Sequence, residues 1–327
     1  MKSRNKPTSK SYKIRVGITM GDPSGIGPEI TLKALRKLKG LADFTVIGDR
    51  RVLSKVPGSK LQASGFTLID LDNVRHKNFS FGKVRAEYGR AAVEYLDRAL
   101  ELLEQKQIDC LVTCPLSKEA VNLSGLKGFS GHTEYLAKRA GAKNFLMLLL
   151  NRNLKIALAT RHLPLRSVAQ RLSKTELAKD ICLTYCALKE LFIIASPRLV
   201  VCGLNPHASD NGVIGDEENK IIKPAIELAG IAVKNIAGPF SADVAIAAAA
   251  EKKYDCAIAM YHDQALIALK LLGKDTGVNM TLNLPYIRTS PLHGTAFDIA
   301  GLNKACPDSL IEAIKLAIRC ASNLKKV

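Results

Sequence analysis

The chain has no tryptophan among its 327 residues, and aromatic residues together make up only 5%. Surfaces that bind nucleic acid combine cations with aromatic side chains for stacking, so this scarcity weighs against one despite a formal net charge of +18. Long apolar runs are missing too. Phe145–Leu150 spans six residues, far below the roughly 20 that a membrane-spanning helix needs, and no membrane span is expected. The eight cysteines include no Cys-x-x-Cys pair, which removes the zinc-ribbon and thioredoxin readings. Cys110, Cys202 and Cys256 lie in apolar, strand-like runs, and Cys182 and Cys186 share a helical pattern. Reduced structural thiols in a cytoplasmic protein fit that distribution, with Cys114 as the candidate for a reactive one.

The positive charge is uneven. Lys2, Arg4, Lys6, Lys10 and Lys13 fall in the first 13 residues, which hold no acid, and residues 1–13 read as a disordered basic tail. The other cations are scattered without a block of like charge and read as a solvated surface. A basic nucleic-acid-binding protein is what the charge alone would suggest, and the rest of the chain gives that reading no support.

Short aliphatic runs at Ile14–Thr19, Phe44–Ile47, Cys110–Thr113, Leu199–Gly203 and Cys256–Met260 alternate with helix-period stretches. In Glu87–Gln105, Ala91, Tyr95, Ala99 and Leu102 recur three or four apart. Such alternation predicts an α/β architecture with a largely parallel sheet. Phe145–Leu150 and Leu154–Ala159, separated by Asn151-Arg152-Asn153, predict a hairpin, and a last helix is expected from Asp308 to about Asn323.

The first strand runs into Gly21-Asp22-Pro23-Ser24-Gly25-Ile26-Gly27-Pro28-Glu29. Glycine turn, proline and then acid mark the start of a helix. The spacing is neither the Gly-x-Gly-x-x-Gly of a Rossmann site nor a P-loop, although Asp49 after the second strand stands where a ribose-binding acid would. The loop is either a tight structural turn or a wall of a ligand site with backbone donors.

Of six histidines, His162, His207 and His262 each follow a predicted strand. Ligands of α/β sheets gather outside the carboxyl ends of strands, so these three, 45 and 55 residues apart, could converge on a divalent metal. Asp263 adjoins His262, and Asp243 stands at an expected helix start. Lys270, eight residues beyond His262, would share its helix face. Asn279 and Arg288 fall in the glycine- and proline-punctuated stretch Gly277–Arg288. Lys and Arg suit carboxylate or phosphate, and His132-Thr133-Glu134 after Gly131 predicts another helix start friendly to anions.

These segments, with Thr160-Arg161-His162-Leu163-Pro164-Leu165, Gly203-Leu204-Asn205-Pro206-His207-Ala208, Met260-Tyr261-His262-Asp263-Gln264, Leu284-Pro285-Tyr286-Ile287-Arg288-Thr289-Ser290 and His293-Gly294-Thr295-Ala296, resemble the 4-hydroxythreonine-4-phosphate dehydrogenase family from about residue 14 onward. The last motif is also similar to the NAD loop of isocitrate and isopropylmalate dehydrogenases. The resemblance implies a non-Rossmann fold like theirs: two α/β domains with a cleft, one from 14–130 plus about 285–327, the other about 131–284. The second would carry the metal ligands and dimer contacts.

It further implies that His162, His207 and His262 hold one divalent metal (zinc, magnesium or cobalt), with both subunits of a homodimer forming the site. His132, Thr133, Lys270, Asn279 and Arg288 would bind a phosphorylated amino acid, and His293, Gly294, Thr295 and Ala296 would bind NAD or NADP. Asp263 and Lys270 are the candidates for acid–base catalysis. The implied reaction oxidises 4-phosphooxy-L-threonine to 2-amino-3-oxo-4-phosphooxybutanoate, which decarboxylates to 3-amino-2-oxopropyl phosphate in pyridoxine 5'-phosphate (vitamin B6) biosynthesis. The alternative is a sister dehydrogenase acting on threonate or erythronate 4-phosphate. Cys114, Ser209-Asp210, Leu292 and Leu302-Asn303 depart from the family pattern. None of these touches the metal or substrate positions.

Overall fold

Four of the aliphatic runs become strands whose residues are all buried, because helices cover both faces of the sheet that holds them. The computed structural model describes residues 12–61, 65–75 and 78–325. The strands are β1 (Arg15–Thr19), β2 (Asp43–Gly48), β3 (Thr67–Asp70), β4 (Cys110–Thr113), β5 (Leu146–Leu150), β6 (Lys155–Leu158), β7 (Leu199–Cys202), β8 (Ile236–Phe240), β9 (Cys256–Ala259), β10 (Val278–Leu282) and β11 (Ile287–Pro291). The α-helices are α1 (Gly27–Lys37), α2 (Arg50–Ser54), α3 (Ala86–Glu104), α4 (Lys118–Leu123), α5 (His132–Arg139), α6 (Val168–Arg171), α7 (Lys174–Glu190), α8 (Lys223–Gly230), α9 (Ala242–Ala250), α10 (His262–Gly273) and α11 (Asp308–Leu324).

Among the described residues the strands form one 11-stranded sheet in the order β3-β2-β1-β4-β11-β10-β5-β6-β9-β7-β8. Both flanks are parallel, and the antiparallel pairs β11–β10, β10–β5 and β5–β6 join them. The expected hairpin is β5–β6. Its turn is held by the Asn151 side chain, which accepts from the backbone N–H of Asn153 and Leu154 at 2.9 and 3.0 Å. The fold is α/β and non-Rossmann. The segments assigned from sequence to two domains occupy opposite halves of this sheet and meet at β10 and β11. The division itself remains a proposal.

The helices follow their sequence signals. In α3, Tyr88, Ala91, Tyr95, Ala99 and Leu102 are buried on one face. Proline sits in the first turn of α1, and the buried Glu29 there accepts from Lys33 Nζ and from the Ala305 N–H, each at 2.8 Å. Asp49 does not face a ribose site. It caps α2, accepting from Val52 N–H at 3.1 Å and Val74 N–H at 3.0 Å, so both its oxygens serve the fold.

The expected tail lies, up to Ser11, outside the described residues. Its Tyr12 is already part of the fold, donating to Asp109 at 2.9 Å with Lys325 Nζ over its ring. All eight cysteines are free. Cys114 is fully buried against Thr31 Oγ1, and burial pushes its thiol up to about 12, so it is not the reactive thiol that its sequence context suggested. Among the described residues, no helix is long and apolar enough to cross a membrane.

Candidate active site

Strand alternation builds the floor of the site. Arg288 and Ser290 on β11, Asn279 and Thr281 on β10, and Met147 and Leu149 on β5 stand two residues apart on adjacent, registered strands, and so share one face of the sheet. Thr113 closes β4 on the same side. Over this floor lie the starts of α4, α5 and α10 and the loop His293–Gly294, enclosing a cavity of about 390 Å³.

Arg288 is the unusual group there. It is 1% exposed, and its guanidinium donates to Thr113 Oγ1 at 2.7 Å, Thr281 Oγ1 at 3.1 Å and Thr133 Oγ1 at 3.3 Å. Its Nε has no partner, and among the described residues no carboxylate pairs with it. Burial lowers its pKa to about 10, which still leaves it charged at neutral pH. A buried, uncompensated cation beside a cavity is the complement of an anion. Asn279 Oδ1, His132 Nε2 and His293 Nε2 are also buried without a partner. Burial, with Arg288 and Lys118 nearby, lowers His132 to about 3, so its ring is neutral. The second ring nitrogen is engaged by the Cys114 backbone.

His162 and His262 meet at the cavity mouth, with ring centroids 5.6 Å apart. His262 Nδ1 lies 2.7 Å from Asp263 Oδ1, which leaves Nε2 as the free lone pair. Glu134 Oε1 is 3.9 Å from His162 Nδ1, and this histidine holds the Glu134 carboxyl down at about 2. His207 does not join them. It sits past β7 in a left-handed turn near Asp243, whose carboxyl is held down first by the Ser241 hydroxyl and the Val244 backbone N–H and only last by His207. Among the described residues no group of three metal-binding side chains forms. Lys270 does lie on α10, as its spacing required, yet it is exposed and outside the cavity lining. Asp263 is exposed and serves His262.

The expected cofactor segment packs on the glycine loop: Ile26 N–H donates to Thr295 O at 3.0 Å, and Ala296 takes a positive φ of 42°. Below it Asp22 is fully buried with Oδ2 unpartnered, and burial raises its carboxyl to about 6. Sequence reading passed over Lys118 as a site residue. Its signal was available, since it opens a helix just after a strand end, the same position that singled out the histidines.

Residues 30–317 match the family described as pyridoxal phosphate biosynthetic protein PdxA. A 4-hydroxythreonine-4-phosphate dehydrogenase of Sulfurihydrogenibium sp. is 43% identical, over 93% of this chain and 98% of its own length. A D-threonate 4-phosphate dehydrogenase of Salmonella typhimurium is 39% identical over 94% and 98%. The crystal structure of a 4-hydroxythreonine-4-phosphate dehydrogenase from Klebsiella pneumoniae superposes with a TM-score of 0.84 at 35% identity, covering 96% of this chain and 99% of that one. The chain belongs to the PdxA family of pyridoxal phosphate biosynthetic proteins and is a dehydrogenase.

Proposed function

We propose that this dehydrogenase oxidises 4-phosphooxy-L-threonine with NAD or NADP, and that the resulting β-keto acid loses CO₂ to give 3-amino-2-oxopropyl phosphate. The observation that carries the reading is Arg288, a buried cation with a free Nε and no carboxylate partner among the described residues. It suits an anionic substrate, and the three threonine hydroxyls fix its orientation before the substrate arrives. The unpartnered Asn279 oxygen and the Glu134 carboxylate supply acceptors for the substrate ammonium, which a threonate lacks.

His162 and His262, imidazoles facing one another at the mouth, fit two of the ligands of a divalent ion such as zinc, magnesium or cobalt. A second copy of the chain would supply His207 and Lys270, since neither reaches the cavity of its own chain. The apolar stripe of Val244, Ile267 and Leu271 on α9 and α10, each more than half exposed, supports a homodimer packed beside this mouth. A bound metal supplies stabilisation of negative charge on the reacting oxygen, and a bound nicotinamide accepts the hydride. The chain's own part is to hold and orient. Arg288, His132, Thr133 and Asn279 grip the substrate, Asp263 fixes the His262 ring, and the loop from His293 to Ala296 lies where the cofactor would enter.

The test is an absorbance assay of reduced nicotinamide, run side by side on 4-phosphooxy-L-threonine and D-threonate 4-phosphate with a panel of divalent ions. Faster turnover of the threonate would assign the chain to the sister activity.

A further inference from the structure

We propose that Lys118 is a second binding group for the substrate phosphate, a mobile point charge that complements the fixed fork of Arg288. This rests on the phosphorylated-substrate reading above. Lys118 lies in the cavity wall, where it and Arg288 are the only lysine or arginine side chains among the described lining residues. Its position gives the helix itself nothing. Ser117 caps α4, accepting from Ala120 N–H at 3.1 Å, so Lys118 is the first helical residue. A cation there opposes the positive end of the helix dipole. No ion pair or side-chain hydrogen bond offsets this among the described residues.

The opposite wall makes room for it. Gly131, with φ of +147°, opens α5, and a Cβ at that position would stand 3.3 Å from Lys118 Cε and 3.7 Å from Nζ. Lys118 also opposes protonation of His132, which places its field inside the cavity. An exposed lysine at a cavity wall with no partner among the described residues is available to a ligand.

Charge balance selects the phosphate. A phosphate monoester carries about −1.5 to −2 at neutral pH, and Arg288 supplies one positive charge. His132 is neutral. The Glu134 carboxylate in the same lining offsets one positive charge, so within its own chain Lys118 is what leaves the wall net positive for a phosphate. Arg288 is locked by threonine hydroxyls and buried, so it cannot follow the ligand. Lys118 is exposed on a flexible stem and can close over the phosphate once it has entered.

The experiment compares Lys118→Met and Lys118→Arg with wild type in two assays. Inorganic phosphate is titrated calorimetrically, and initial rates are measured with 4-phosphooxy-L-threonine and with 4-hydroxy-L-threonine, which lacks the phosphate. The methionine variant is expected to weaken phosphate binding and raise KM for the phosphorylated substrate by about 10- to 100-fold, with kcat little changed. The arginine variant should restore most of both, and the unphosphorylated substrate should not distinguish the proteins. Unchanged phosphate affinity in the methionine variant overturns the proposal. So does an equal loss with both substrates, or a collapse of kcat at constant KM that arginine fails to rescue. The phosphate titration does not depend on which hydroxy acid is oxidised, so it decides the role of Lys118 even if the assignment of 4-phosphooxy-L-threonine fails.

Discussion

Arg288 and Asp22 are both buried ionisable groups with an atom left unpartnered, and they answer different demands. Arg288 faces a cavity and keeps its charge. Arg288→Ala should raise KM for the phosphorylated substrate by roughly 10- to 100-fold, the worth of a charged hydrogen-bonding partner, and leave kcat much less affected. An unchanged KM in steady-state kinetics would count against its contact. Asp22 is enclosed by the fold, and its carboxyl rises from 3.8 to about 6 through burial. The folded protein therefore holds this proton more tightly than the unfolded chain does. Its contribution to stability is full below pH 4 and is lost as pH rises through 6, amounting to at most ~3 kcal/mol. Asp22→Asn is expected to melt higher than wild type near pH 8 and to lose that advantage near pH 4. Parallel melting profiles across this range would refute the account.

At the scale of elements, the site depends on how α4 is seated. Gly89 in α3 lets the two helices touch, since a Cβ there would lie 2.1 Å from the backbone carbon and oxygen of Ala120. Gly89→Ala should therefore cost about 1–3 kcal/mol in denaturant unfolding, as overpacking does, and lower substrate affinity by shifting Lys118. An alanine variant with full stability would mean that the helices can part freely.

Much of this layer was legible beforehand. The alternation of aliphatic runs with helical periods revealed β1, β2, β4, β7 and β9 within a residue or two, and Asn151-Arg152-Asn153 marked its hairpin. β10 and β11 were read only as a punctuated stretch, because Asn279, Thr281, Arg288 and Ser290 place polar residues where a buried strand is expected to be apolar. Those polar residues are the floor of the site. Convergence was the harder matter. Strand-end position brought His162 and His262 together, and His207 follows β7, which pairs with β9, yet it lies five residues beyond Cys202 in a left-handed turn that spacing along the chain does not reveal. Lys270 shows the limit of helical periodicity in the same way. Being on the same helix as His262 did not carry it into the cavity.

The whole molecule raises the question of the missing histidine. In a dimer that shares its sites, a His162→Ala chain and a His207→Ala chain are each inactive alone. A mixed dimer keeps one intact site of two, so co-expression in equal amounts should restore about a quarter of wild-type activity, half of the dimers being mixed. No recovery in the purified mixed preparation would place all ligands on one chain. The net charge of +18 finds only part of its explanation in the cavity and the N-terminal segment.

The place of β11 in the sheet has a consequence for how the protein comes to be. It is last among the described strands, yet it lies between β4 and β10 near the middle of the order. A growing chain leaving the ribosome can pair β1, β2, β3 and β4, but the edge of β4 stays open until β11 has emerged. Folding must then complete a pairing across more than half of the chain, a slow, entropy-limited step during which exposed strand edges invite misassembly. The same strand carries Arg288, so the anion-binding floor is assembled only once β11 has emerged, and no nascent fragment lacking β11 can present it.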